Sequence, residues 1–164
     1  MNAELDRVAS SLNLAAPESR ELALSFGLAC AKRVEHLLEE AEVLACLNVL
    51  EQYVSGAATS ESLFKASEAA ALLANRHCGS KSIDGCGHAA VSASYGVSKA
   101  LSGKAVEAAQ YCAYAAVYAA GGYAAVAERE AFAPEFAWQL QRLQALAQAC
   151  QLGLDSGGSW SCPR

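Results

Sequence analysis

The sequence predicts an all-α fold, a compact bundle of about six to seven alanine-rich helices in a single domain, and three observations carry that expectation. Ala, Leu, Glu, Lys and Gln dominate while β-branched residues are scarce, so helix propensity is high almost everywhere. Alternating apolar and polar runs, the mark of half-buried strands, are missing. Hydrophobic residues make up 54% of the 164 and charged ones only 18%, with three prolines, a composition that opposes disorder and lets one domain bury a core without staples.

The elements follow from punctuation. A short first helix over residues 3–12 ends before Asn13, and the segment to Pro17 breaks it. Pro17 sits where a helix tolerates its missing N–H, and Leu22, Phe26, Ala29, Arg33 and Leu37 follow at helical spacing, which predicts a second helix to about Glu39. The run Glu39, Glu40, Ala41, Glu42 contains no breaker, so the next apolar set (Val43, Leu44, Leu47, Leu50, Val54) either continues that helix or opens another; a short turn between them is the preferred reading. Ser55 and Gly56 stop the chain. Thr59 or Ser60 then caps a helix with Glu61 in its first turn, which uses Leu63, Phe64, Ser67, Ala70, Ala71 and Ala74 to reach Arg76. Three glycines in residues 77–87 mark a loop that divides the chain into two helical halves. Beyond it come a helix over 88–101, a turn at Ser102 and Gly103, and a long helix over 104–127 that Gly121 and Gly122 kink or weaken. Pro134 opens the last helix, to about Leu152. The domain therefore spans 1–152, and 153–164 is a flexible Gly/Ser-rich tail.

Packing and surroundings can be read further. Ala109, Ala113, Ala116 and Ala120 form a flat stripe that lets neighbouring backbones come close, so stability has to come from many small contacts and from the Leu, Phe and Tyr residues between the alanines. Seven cysteines are an odd number, and Cys30, Cys46, Cys112 and Cys150 fall at apolar helical positions beside alanines, which suits small buried hydrophobes in a reducing compartment. The first residues carry acids where an export signal is basic, so the expected location is the cytoplasm. Residues 108–127 lack charge over a membrane-spanning length, but Ala, Tyr, Gly and Gln110 insert poorly, and a central helix buried by its neighbours is the expectation. A formal charge of −5 argues against a nucleic-acid partner, which needs a cationic face.

Five groups of residues are candidates for function. His77, Cys78, Cys86 and His88 supply the ligand types of a tetrahedral zinc site, although paired zinc-module spacings are missing and buried thiols explain the cysteines as well. His88, at a helix start, suits a hydrogen-bonding or partner-contact role; as an acid or base it has only Asp84 nearby. Glu135 and Gln139 share a helix face at i and i+4 with Trp138 close by, a packing anchor whose Glu and Gln are also candidates for touching a partner. Tyr111, Tyr114 and Tyr118 form a stripe read as core lining. Glu35, Glu39, Glu40 and Glu42 concentrate negative charge at the end of a helix, where the macrodipole opposes it; a solvated face explains them, and the sharper reading is an acidic patch that meets a basic protein surface. No catalytic residue and no cofactor is called.

The stretch ELALSFGLACAKRVEHLLEE, a helix ending in VSGA, an Ala-dense helix, GHAAVSA, an Ala/Tyr helix and finally EFAWQLQRL follow one another in an order that resembles the small bacterial immunity proteins of the Imm5-like type. The resemblance spans residues 21–146 and rests on Cys30 in its helix, on Gly87, His88 and Ala89, and on Glu135 with Trp138 and Gln139. It departs from that pattern between the early helices, where Glu-Ala-Glu-Val replaces a turn containing proline and aspartate. The resemblance implies a protein that binds and neutralises a cognate toxin made by the same or a neighbouring bacterium, acting by occlusion rather than as an enzyme. Two other readings stand beside it: a phage or mobile-element inhibitor or helical adaptor that works by protein binding, and a zinc-binding protein or metal-dependent enzyme using the 77–88 cluster. A homodimer through the alanine or tyrosine faces is compatible with all three.

Overall fold

A computed structural model describes residues 2–77 and 87–155. Among them are seven helices and no strand: α1 (Ala3–Ser11), α2 (Arg20–Arg33), α3 (Ala41–Val54), α4 (Ser60–Arg76), α5 (Gly87–Leu101), α6 (Ala105–Ala125) and α7 (Ala133–Asp155). Local chemistry sets most boundaries. Asn2 caps α1, its Oδ1 accepting the Leu5 N–H at 3.2 Å, while its Nδ2 donates to the Phe136 carbonyl at 3.1 Å and pins the amino terminus to α7. Thr59 Oγ1 accepts the Ser62 N–H at 3.2 Å and caps α4, as its position predicts. Gly56, at φ 80°, closes α3 in a conformation that favours glycine.

Two predicted boundaries move, and one predicted kink is present. The second helix ends at Arg33 instead of continuing to Glu39: the chain bends at Val34, makes a 3-10 turn over Glu35–Leu37 and runs extended to Glu40 before α3 opens. The bend seats Val34 in the core and packs both Leu37 and Leu38 against it, which one continuous helix would have splayed around its circumference. The preferred turn is therefore present. The long sixth helix breaks at Gly122, whose φ of 67° and ψ of −161° are not helical. The last helix passes Leu152 and takes in residues 153–155; the rest of the predicted tail, residues 156–164, lies outside the described ones.

α2 and α5 form the middle of the bundle. α5 packs on α6, α4 and α2, and α2 also meets α6, α7 and α3. Two core clusters flank this pair. One gathers Leu5, Leu22, Phe26, Cys30, Ala109, Cys112 and Leu143 from α1, α2, α6 and α7. The other gathers Leu24, Val43, Leu47, Leu50, Leu63, Ala70, Val97 and Leu101 from α2 to α5. Because α2 feeds both, every residue from Leu22 to Gly27 is buried, and the helix has no polar face there.

Small residues do allow close approach, though at positions the alanine stripe did not single out. A Cβ on Gly27 would lie 3.0 Å from Ala100 Cβ and 3.1 Å from its Cα; one on Gly96 would lie 2.6 Å from Cys112 Sγ. Of the predicted stripe, Ala109 and Ala113 are buried, Ala116 is half-buried and Ala120 is exposed.

No described helix is long and apolar enough to cross a membrane. The 108–127 stretch instead makes up most of α6 and the turn after it, with Ala108, Ala109, Cys112, Ala113, Ala115 and Val117 buried and Ala119, Ala120 and Gly121 exposed. Cys30, Cys46 and Cys112 are buried and free, as the apolar-position reading expects, and Cys150 is half-buried. Burial pushes the Cys30 thiol well above its ordinary value, helped by Cys112 and Glu135, and burial does the same to Cys112. Iodoacetamide at mildly alkaline pH is therefore expected to leave Cys30 and Cys112 unmodified in the native protein and to label both in urea, read by peptide mass spectrometry. Labelling of either at its urea rate under native conditions would contradict this burial.

Candidate functional site

The first turn of α7 carries Glu135, which is only 5% exposed. Its Oε2 accepts a hydrogen bond from Arg33 Nε at 2.6 Å, and the same guanidinium lies 4.4 Å from the centre of the Trp138 ring. One turn further on, Gln139 is fully buried; its Nε2 donates to the Ala109 carbonyl at 2.8 Å, and its Oε1 has no hydrogen-bond partner. These contacts fasten α7 to α2 and α6. They leave little of the Glu135 side chain and none of the Gln139 side chain at the surface of the chain. Arg33 was visible in the sequence only as a member of a helical pattern. Its partner lies 102 residues away, and no local signal links the two.

The tyrosine stripe is half-buried and forms part of a row of rings. Tyr111 stacks on Tyr95 at 5.2 Å, and the Tyr95 hydroxyl donates to Asn75 Oδ1 at 3.0 Å. Tyr114 meets Phe132 edge-on at 5.1 Å, and Tyr118 stacks on His88 at 5.2 Å. Tyr123, beside the Gly122 break, lies 5.1 Å from the His88 ring and 6.1 Å from the Tyr118 ring. Burial raises the Tyr118 hydroxyl's pKa, with Tyr123 and Tyr114 adding to it. His88 is exposed at the start of α5, its ring in contact with two tyrosines. Among the described residues no three His, Cys, Asp or Glu side chains come together as metal ligands; Cys78, Cys86 and Asp84 lie outside those residues, so the four-residue zinc set is only half in view, as His77 and His88.

The acidic group is the candidate site left on the surface. Glu35 pairs with Lys32 at 2.9 Å, and Lys32 also reaches Glu51 at 3.2 Å; the hydrogen bond that Lys32 donates to Glu35 raises the lysine's pKa. Glu39 and Glu42 are exposed and Glu40 is half-buried. The helix break relocates them: Glu40 is the residue preceding α3 and Glu42 lies in its first turn, so these carboxylates face the positive end of a helix dipole rather than opposing a negative end. The electrostatic objection to the position of Glu40 and Glu42 disappears. No family model, no curated protein and no solved structure matches the chain.

Proposed function

We propose that this chain is an immunity-type protein that binds a cognate bacterial toxin in the cytoplasm and neutralises it by occlusion. The sequence resemblance over residues 21–146 suggests the class. The observation that carries the reading is the acidic group at the start of α3, where Glu39 and Glu42 are exposed and Glu40 between them is half-buried. Such a group steers a basic protein surface toward it, speeds association and holds the register of the complex, with an effect that salt screens. Covering the toxin's working surface is sufficient to silence it, and this mechanism uses no cofactor.

The direct test expresses the toxin candidate encoded immediately beside the gene for this chain in a susceptible strain, with and without the chain. Restored growth is the expected result, and failure to restore it counts against the reading. A Glu39→Lys/Glu40→Lys/Glu42→Lys variant is expected to bind that toxin about tenfold or more weaker at low ionic strength, mostly through slower association, with the gap closing as salt rises. Surface plasmon resonance at several salt concentrations checks this, and an unchanged salt dependence sinks the role of the patch.

A further inference from the structure

The formal charge of −5 is concentrated in one part of the chain. Residues 35–76 hold seven glutamates against Lys65 and Arg76, a balance of −5, while the remaining 122 residues hold ten acids and ten bases and are neutral. The excess therefore belongs to α3, α4 and the turn that leads into them. The five-residue link 55–59 makes the two helices an antiparallel hairpin. Its inner face, with Val43, Leu47, Leu50, Leu63 and Ala70, packs into the second core cluster. Its outer face carries unneutralised charge, since Glu42 and Glu68 make no ion pair among the described residues.

The same outer face exposes apolar side chains. Phe64 is 63% exposed and Leu72 is 56% exposed, and of the four large hydrophobics exposed among the described residues, three (Leu44, Phe64 and Leu72) lie on this hairpin. Phe64 and Leu72 are eight residues apart on α4, so they share one stripe with Glu68 between them and stand about 12 Å apart along the axis. An exposed Phe and Leu add little to the fold, and aromatic anchors ringed by charge are what a partner's apolar stripe covers.

We infer that the outer face of the α3–α4 hairpin docks a basic amphipathic helix of a partner protein, its apolar stripe seated on Phe64 and Leu72 and its lysines or arginines against the surrounding glutamates. That the occupant is a protein rests on the binding function proposed above; that it is cationic follows from the charge of the hairpin. The face adds Glu68 to the acidic group at the start of α3, beside Glu51 and Glu61, which pair with Lys32 and Lys65, and supplies the apolar anchor which that group lacks.

The test titrates the full isotope-labelled chain with a synthetic amphipathic helix of about 18 Leu and Lys residues, and with its Leu/Glu counterpart, followed by NMR. Expected are shifts confined to the outer residues of α3 and α4, no binding of the Glu peptide, and a loss of affinity of about tenfold in raised salt. A Phe64→Ser/Leu72→Ser variant, altered only at exposed positions and checked for folding by circular dichroism, is expected to lose about tenfold or more in affinity. Shifts centred on the tyrosine row or scattered over the surface, equal binding of the Glu peptide, or unchanged affinity in the folded double variant would overturn the inference. So would sedimentation showing a dimer of the chain that the double variant dissolves, since the occupant is then a second copy. Two growth results separate this inference from the reading beneath it. If the double variant still rescues growth fully, the hairpin is not the docking face and the immunity reading stands. If the wild type fails to rescue while the Lys peptide docks as expected, the immunity reading falls and the docking face stands.

Discussion

Replacing Gly27 with valine is expected to lower stability by about 3 kcal/mol, the upper end of the usual range for overpacking a core. Gly27 lies in the middle of α2 where α5 crosses it, and a Cβ there would already lie 3.1 Å from the Cα of Ala100. The obstacle is backbone, so no side-chain rotation relieves it, and the two central helices must separate. The gain in helix propensity, a few tenths of a kcal/mol for Gly→Val, is too small to compensate. Gly96 makes a useful contrast. There the obstructing atom is Cys112 Sγ at 2.6 Å, so Gly96→Ala is expected to be destabilising alone and closer to wild type when combined with Cys112→Ala than the sum of the two single changes. Urea unfolding followed by circular dichroism measures all of these. A Gly27→Val loss below about 1 kcal/mol would mean that α2 and α5 are not in backbone contact.

The second large effect is expected from Arg33→Ala, at about 2–3 kcal/mol, and its size depends on which partner is left behind. Glu135 is buried, whereas the Arg33 side chain is 40% exposed. Removing the arginine strands a carboxylate in the interior, which is the costly way to break such a pair; water on the arginine side moderates the figure from the 3–5 kcal/mol of fully buried cases. Loss of the cation-π contact with Trp138 adds to it. Glu135→Gln is expected to be milder, because its amide keeps the shape and leaves Arg33 free to turn to solvent. The double variant Arg33→Ala/Glu135→Gln should regain part of the loss. Equal destabilisation by Arg33→Ala and Glu135→Gln would show that the stranded carboxylate is not the source.

The tight approaches and the buried pair are also where a reading of the sequence stops. Helix starts and stops depend on neighbours within a few residues, so Thr59 as a cap, Gly56 as a terminator and the break at Gly122 were legible. The end of α2 was not, because nothing local forbids a helix through Glu35 and His36; the bend exists to put Val34, Leu37 and Leu38 into cores made by other helices. That bend also decided the setting of Glu40 and Glu42, which changed from the unfavourable end of one helix to the favourable start of the next. The alanine stripe pointed to close packing correctly, but the closest contacts fell on Gly27 and Gly96, since the crossing points of helices are set by the whole bundle.

By itself the sequence determined an all-α domain, nearly all of its helices, the burial of Cys30, Cys46 and Cys112, and a net negative charge. Each of these follows from propensity, spacing or a count. Only the tertiary structure decided that Glu135 and Gln139 face inward on Arg33 and Ala109, that His88 is held among tyrosines, and that Phe64 and Leu72 stand open on the most acidic hairpin. Those outcomes depend on which faces meet across tens of residues of chain, and a side chain's burial is a property of the partner it finds there rather than of its neighbours in sequence.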